Sequence, residues 1–481
     1  MKRFPLIVLA IAWLFAGLSH AETPATIAAV KAAVPSLGKR PGMDSAMLGV
    51  AVLRLGENPE MVVDVAGKQS FIPASTTKIL TTVAALDVLG PEMVFETKLG
   101  YRGTLEAGEL QGDLVILGTG DPTLAEYGWD ELFKTWTEAM KTAGITSITG
   151  RVLGDASFYQ GPPRPGTWSW MDLGNYYAGG ADGLNFYNNT YNVRFRTRAV
   201  GSRAKYLGTT PELPGVTFHN EMMTGNAGSG DQGYVYAAPY GQVVFLRGSI
   251  PASGTFTIKG ALPEPALTCA QLFHAHLKKQ GIQISEDPST QRMDPATGAL
   301  TEIHAHTSKP LSNLLQRMNH KSINLFAETI LRRVGKAQGN VGSTQAGVNA
   351  VNAYFTKHGI RTEGFAMNDG SGLSRLNLIT PRQMVYLLKA ANSDAHAEIF
   401  RNSLPVAGES GTLKNVAKGT AAVGRVRAKS GTIDRVKCYA GYVDARSGTR
   451  YAFAIMVNNY AKTYGDVKPG IVSIMARMAE Q

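Results

Sequence analysis

Ser75-Thr76-Thr77-Lys78 opens a run in which Ile79, Leu80, Val83, Ala84, Leu86, Val88 and Leu89 recur at helical spacing, until Gly90-Pro91 stops it. The run is apolar almost all round, so the helix it predicts belongs in the middle of a core. Residues three apart lie on one helix face, so the Lys78 amine reaches the Ser75 hydroxyl. A serine at a helix start also sits where backbone N–H groups point at a developing anion. A lysine sunk in an apolar wall loses preference for its charged form and can act as a base. That is an activated nucleophile without histidine. The plainer reading of Ser75 is an N-cap.

Working outward, S-x-x-K recurs at Ser36 to Lys39 and at Ser202 to Lys205, but neither match opens an apolar helix. Ser322-Ile323-Asn324 is the one S-x-N of the chain, at the junction of two helical patterns, Leu311 to Met318 and Ile323 to Val334. Lys429-Ser430-Gly431-Thr432 holds the one K-[ST]-G, on the first strand of a predicted C-terminal meander: Arg425 to Ile433, Cys438 to Val443 and Tyr451 to Asn458. Glycine at 431 would let a substrate backbone lie close to that strand. Further helices are expected at Gln345 to His358, Pro381 to Ala391 and Ile471 to Met478. Helices against an antiparallel sheet give an α+β fold.

Between the first motif and the second lies a long region of different character. Strands are expected at Leu110 to Gly118, Ser147 to Leu153, Val193 to Arg198 and Val243 to Arg247, with a helix at Trp129 to Thr142. Pro- and Gly-rich passages separate them, and Asp287 to Gly298 reads as a linker. The whole reads as β-rich insertion modules.

Composition excludes several function classes. Two cysteines in 481 residues rule out a disulfide scaffold, a Cys-based zinc finger and an iron–sulfur protein. His274/His276 and His304/His306 lack a third ligand, and neither HExxH nor G-x-S-x-G occurs, so no metal or cofactor is expected. The net charge of +11 suits an anionic partner without specifying nucleic acid. Lys2 and Arg3, the apolar Pro5 to Leu18 and the small residues Ser19 and Ala21 read as a secretory signal peptide cleaved near Ala21. About 14 apolar residues fall short of the ~20 that span a bilayer. A periplasmic protein is expected, with peripheral membrane or cell-wall attachment left open.

The ordered set S-x-x-K, S-x-N, K-[ST]-G is shared by β-lactamases and penicillin-binding proteins. With its long interval from Ser75 to Ser322, the chain resembles the low-molecular-mass D-alanyl-D-alanine carboxypeptidase/endopeptidases of the S13 type. The segments Gly120-Asp121-Pro122-Thr123-Leu124, Asp369 to Arg375 and Leu404 to Gly408 add to the likeness. The resemblance implies a penicillin-recognising, β-lactamase-like catalytic domain from 22–96 and 301–481. Insertion domains of 97–188 with 265–300, and of 189–264, would interrupt it. It implies that Ser75 attacks the penultimate D-alanine, Lys78 takes its proton, and Ser322 with Lys429 protonates the leaving amine. Asn324 would hold Lys78 and the substrate amide, and Ser430 and Thr432, with Lys429, would bind substrate and its carboxylate. Arg375 is a candidate for a stem-peptide carboxylate and Asp172 for a side-chain amine, each against the reading of a solvated loop residue. Peptidoglycan stem peptides are the implied partners, β-lactams the covalent inhibitors, and nucleic acid no partner. A β-lactamase-type hydrolase and a non-catalytic muropeptide-binding module are the competing readings.

Overall fold

The computed structural model describes residues 24–292 and 298–481; the signal-peptide reading lies outside them. Five strands form the sheet that carries the site, in the order Val426–Ile433, Val436–Asp444, Arg450–Asn458, Met47–Arg54 and Glu60–Val65. The first three pair antiparallel as the expected meander, and Arg450–Asn458 then pairs antiparallel with Met47–Arg54, Leu48 opposite Val457.

Alternation along these strands explains why the sheet is buried on both faces. Cys438, Ala440 and Tyr442 face one core with helices Lys78–Leu89, Asn324–Gly339, Thr344–Lys357 and Pro381–Ser393. Tyr439, Val443, Phe453 and Ile455 face a second core with helices Pro24–Gly38 and Tyr464–Ala479. Successive side chains of a strand point to opposite faces, so a strand covered twice reads as an unbroken apolar run. The helix after Ser75 is the central one: every residue from Lys78 to Leu86 is buried.

The intervening region builds its own sheets. Glu96–Glu106 and Thr301–Thr307 pair antiparallel, so the chain leaves and re-enters at adjacent positions, Glu96 opposite Thr307. They belong to a seven-stranded sheet that packs on helices Asp130–Thr142 and Pro265–Lys279 around Trp136, Phe133 and Phe273. Two smaller sheets enclose a separate core of Tyr191, Phe195, Val235 and Leu246. The strand expected over Ser147 to Leu153 is two pieces, Ser147–Ile148 and Val152–Asp155. Gly150 lies at the break, where a Cβ would stand 2.3 Å from Asp113 Oδ1 and 2.5 Å from the Gly112 carbonyl. Cys269 and Cys438 are free and buried in different cores.

Candidate active site

Ser75 sits in a single 3-10 turn, Ala74–Thr77, that runs straight into the Lys78–Leu89 helix. The Lys78 amine is completely buried and touches three oxygens: Ser75 Oγ at 3.2 Å, Asn324 Oδ1 at 2.7 Å and the Ser371 carbonyl at 2.7 Å. The last two can only accept, so a neutral amine gives them its two protons and turns its lone pair to the Ser75 hydroxyl. Burial lowers the Lys78 pKa from 10.5 to about 7, against the pull of Asp369 and Glu328, which raise it.

Those two acids were not singled out from the sequence. Glu328 accepts the N–H groups of Ser371 (2.8 Å) and Gly370 (3.1 Å), and so holds the backbone just before the Ser371 carbonyl that meets Lys78. It lies four residues after Asn324 on one helix, which was the available signal. Burial and neighbouring Asp369 push its carboxyl up to about 7. Asp369 accepts from Trp168 Nε1, Asn377 Nδ2 and the N–H groups of Gly372 and Ser374, which locks the loop carrying Arg375.

Ser322 closes the Leu311–Lys321 helix in the left-handed region, φ 57°, a conformation costly for a non-glycine residue. Its hydroxyl accepts from Lys429 Nζ at 3.0 Å, and Lys429 also donates to the Ser430 carbonyl at 2.7 Å. Burial first, then the charges of Lys78 and Lys437, hold the Lys429 pKa well below its ordinary value. Asn324 gives its amide N–H to the Tyr177 carbonyl at 2.8 Å, so the arm expected to meet a substrate amide is engaged within the protein.

Gly431 has a tighter reason than the expected one. A Cβ there would stand 2.5 Å from the Pro73 carbonyl and 3.1 Å from the backbone nitrogens of Ser75 and Thr76. Glycine lets the strand press against the turn that carries Ser75. Ser430 Oγ bonds Thr412 Oγ1 at 2.9 Å, and Thr432 Oγ1 accepts from Lys437 Nζ at 2.6 Å.

A cavity of about 330 Å³ joins these elements; Ser75, Ser322, Asn324 and Thr432 line it together with Asp172 and Arg375. Tyr177 donates to Asp172 Oδ1 at 2.9 Å, and Arg375 donates to the Asp434 carbonyl at 3.4 Å. Ser169, Met171, Tyr176 and Tyr234 form a wall supplied by the intervening region. Ser36 and Ser202, by contrast, donate their hydroxyls to the carbonyls of Ala32 and Ala199.

Residues 30–481 match the family described as D-Ala-D-Ala carboxypeptidase 3 (S13). The chain belongs to that family. It is 32% identical over 437 residues to the D-alanyl-D-alanine carboxypeptidase of Actinomadura sp. (strain R39), covering 88% of this chain and 79% of the relative. The D-alanyl-D-alanine carboxypeptidase DacB of Haemophilus influenzae is 26% identical over 432 residues, 86% of each protein. The crystal structure of penicillin binding protein 4 (dacB) from H. influenzae superposes with a TM-score of 0.79 at 27% identity, covering 92% of this chain and 97% of that one. A second structure of that protein, complexed with a novel β-lactam, gives 0.75 at 25% identity, with the same coverage. The chain is a serine-type carboxypeptidase of this family.

Proposed function

We propose that this protein acts on peptidoglycan stem peptides as a D,D-peptidase, with Ser75 as nucleophile. The observation that carries the reading is the Lys78 amine, buried, held by two acceptors and aimed at Ser75 Oγ. Lys78 takes the hydroxyl proton as Ser75 bonds to the carbonyl carbon of the penultimate D-alanine. Backbone N–H groups of Ser75 and Thr432 receive the oxyanion, a contribution of ~3 kcal/mol per donor in other acyl-transfer enzymes. The C–N bond then breaks, and the leaving amine collects a proton relayed through Ser322 and Lys429. Water hydrolyses the ester, its proton replacing the one given up through Ser322 and Lys429, and Lys78 returns the proton it took to Ser75.

When the leaving amine belongs to free D-alanine the enzyme is a carboxypeptidase; when it belongs to a cross-linking diamino acid, an endopeptidase. Asp172 and Arg375, both in the cavity wall, are the groups proposed to bind a side-chain amine and a stem carboxylate. Penicillins would acylate Ser75 and leave it slowly. The catalytic unit would comprise 22–96 and 301–481, exported to the periplasm; among the described residues no helix is long and apolar enough to cross a membrane.

Ser75→Ala tests the assignment with labelled penicillin and a D-alanine release assay. Both signals should vanish while the circular dichroism spectrum stays native. Labelling that persisted would place the nucleophile elsewhere. Wild-type turnover of penicillin faster than release of D-alanine would mark a β-lactamase instead.

A further inference from the structure

Lys437 is a buried cation that the reaction above does not use. It stands opposite Thr432 across the two strands nearest the cleft, so both side chains lie on one face of the sheet. Lys429 and Gly431 occupy the other face, as the alternation of a strand requires. The Lys429 amine is committed there to Ser322 Oγ and the Ser430 carbonyl. With the Lys429 amine held on that other face, a second charge behind the Ser430–Thr432 face has to come from another residue.

Lys437 is 7% exposed and donates to Thr432 Oγ1 at 2.6 Å. Its amine lies 4.3 Å from the centre of the Tyr464 ring and 5.0 Å from that of Tyr439. The two phenols hydrogen-bond each other at 2.6 Å. The other titratable groups acting on it are the Cys438 thiol and Lys468, and among the described residues no carboxylate is paired with it. A cation sheltered by ring faces but lacking an anion is stabilised by whatever anion arrives. Thr432, exposed at the cavity, is the atom through which one would be felt. Because its oxygen accepts from Lys437, its own proton is left to donate outward.

We propose that Lys437 is the positioning residue and positive charge behind the site for the substrate's terminal carboxylate. It orients the Thr432 hydroxyl as a donor into the cleft and offsets the incoming negative charge without touching it. The inference rests on the D,D-peptidase reading. It explains why a lysine occupies an otherwise apolar and aromatic stretch, Val436 to Tyr439.

The test compares an N-acyl-D-alanyl-D-alanine peptide ending in a free carboxylate with its C-terminal carboxamide, using the full chain. In Lys437→Met, kcat/KM for the acid should fall roughly tenfold to a hundredfold, mostly through KM, while the amide rate holds. Lys437→Arg should keep most of the preference. An unchanged acid-to-amide ratio in Lys437→Met, or an equal fall for both peptides, would overturn the assignment. Should that variant fail to fold, the wild-type ratio is followed from about pH 6 to 10. Burial holds Lys437 at about 8, so preference for the acid should decline as pH rises through that value, and a flat ratio would overturn the inference. Wild-type enzyme inert toward both peptides would instead sink the peptidase reading, and the inference with it.

Discussion

Acidification should silence acylation through Lys78 in a calculable way. With its pKa brought from 10.5 to about 7, half of the Lys78 amines are neutral at pH 7. An ordinary lysine would be neutral in ~0.03% of molecules at that pH, so burial enriches the basic form roughly a thousandfold. The sign follows directly: the working form is the deprotonated one, so the rate falls as pH drops through 7 and levels off above it. A single titration would cost about fivefold from pH 7 to 6 and about fiftyfold from 7 to 5. Glu328, held at about 7 by burial and Asp369, broadens that limb. As Glu328 takes up a proton it releases its hold on the Lys78 ammonium, whose pKa then slides lower. The assay is the single-turnover rate of acylation by a fluorescent penicillin between about pH 5 and 9, with circular dichroism confirming the fold at each point. Lys78→Arg belongs in the same series, because guanidinium keeps the charge but cannot give up its proton. A rate flat across the range, or a Lys78→Arg enzyme acylating near the wild-type rate, would refute the reasoning.

Gly431→Ala should slow acylation by about a hundredfold, the scale of a 1 Å misplacement of reacting groups, because its Cβ meets backbone of the Ser75 turn that cannot swing aside. Stopped-flow labelling measures it, and a wild-type rate would show that the strand and turn have slack. Cys269 and Cys438 should both resist a thiol reagent in the native protein, since burial raises both thiols, and both should react in denaturant without prior reduction. A single reactive thiol, or none, after unfolding would contradict two free cysteines.

The meeting of Ser75, Lys78, Ser322, Asn324 and Lys429 was legible because each motif fixes residue types on one element, and hydrogen bonds join Lys78 to Ser75 and Asn324, and Lys429 to Ser322. The Lys78–Leu89 helix was legible for a related reason: its apolar faces leave no other place than the core. Strands Met47–Arg54 and Glu60–Val65 escaped notice. The first is covered on both faces and shows no alternation, and the second is exposed at both ends. Glu96–Glu106, with Lys98, Gly100, Arg102 and Gly103 in its length, was not assigned either, and pairing with Glu109–Gly118 and Thr301–Thr307 is what makes it a strand. Lys437, Glu328 and Asp369 were hidden differently. Their meaning lies in a cross-strand register and in carboxylates aimed at the backbone of a distant loop, and no local window contains either.

Leu48 pairing with Val457 has a consequence for the order of events in making this enzyme. The segment holding Ser75 is synthesised well before the strands that neighbour it, so the emerging chain carries Ser75 without Ser322, Lys429 or a completed sheet. Until then Met47–Arg54 presents an open edge on the side that Arg450–Asn458 will cover, the kind of edge that invites pairing with other chains. The intervening sheets draw on nearer partners, such as Glu96–Glu106 with Glu109–Gly118, and can close first. A chain stopped before residue 426 therefore lacks Lys429 and three of the sheet's five strands, and its uncovered edge makes it prone to stick to other chains.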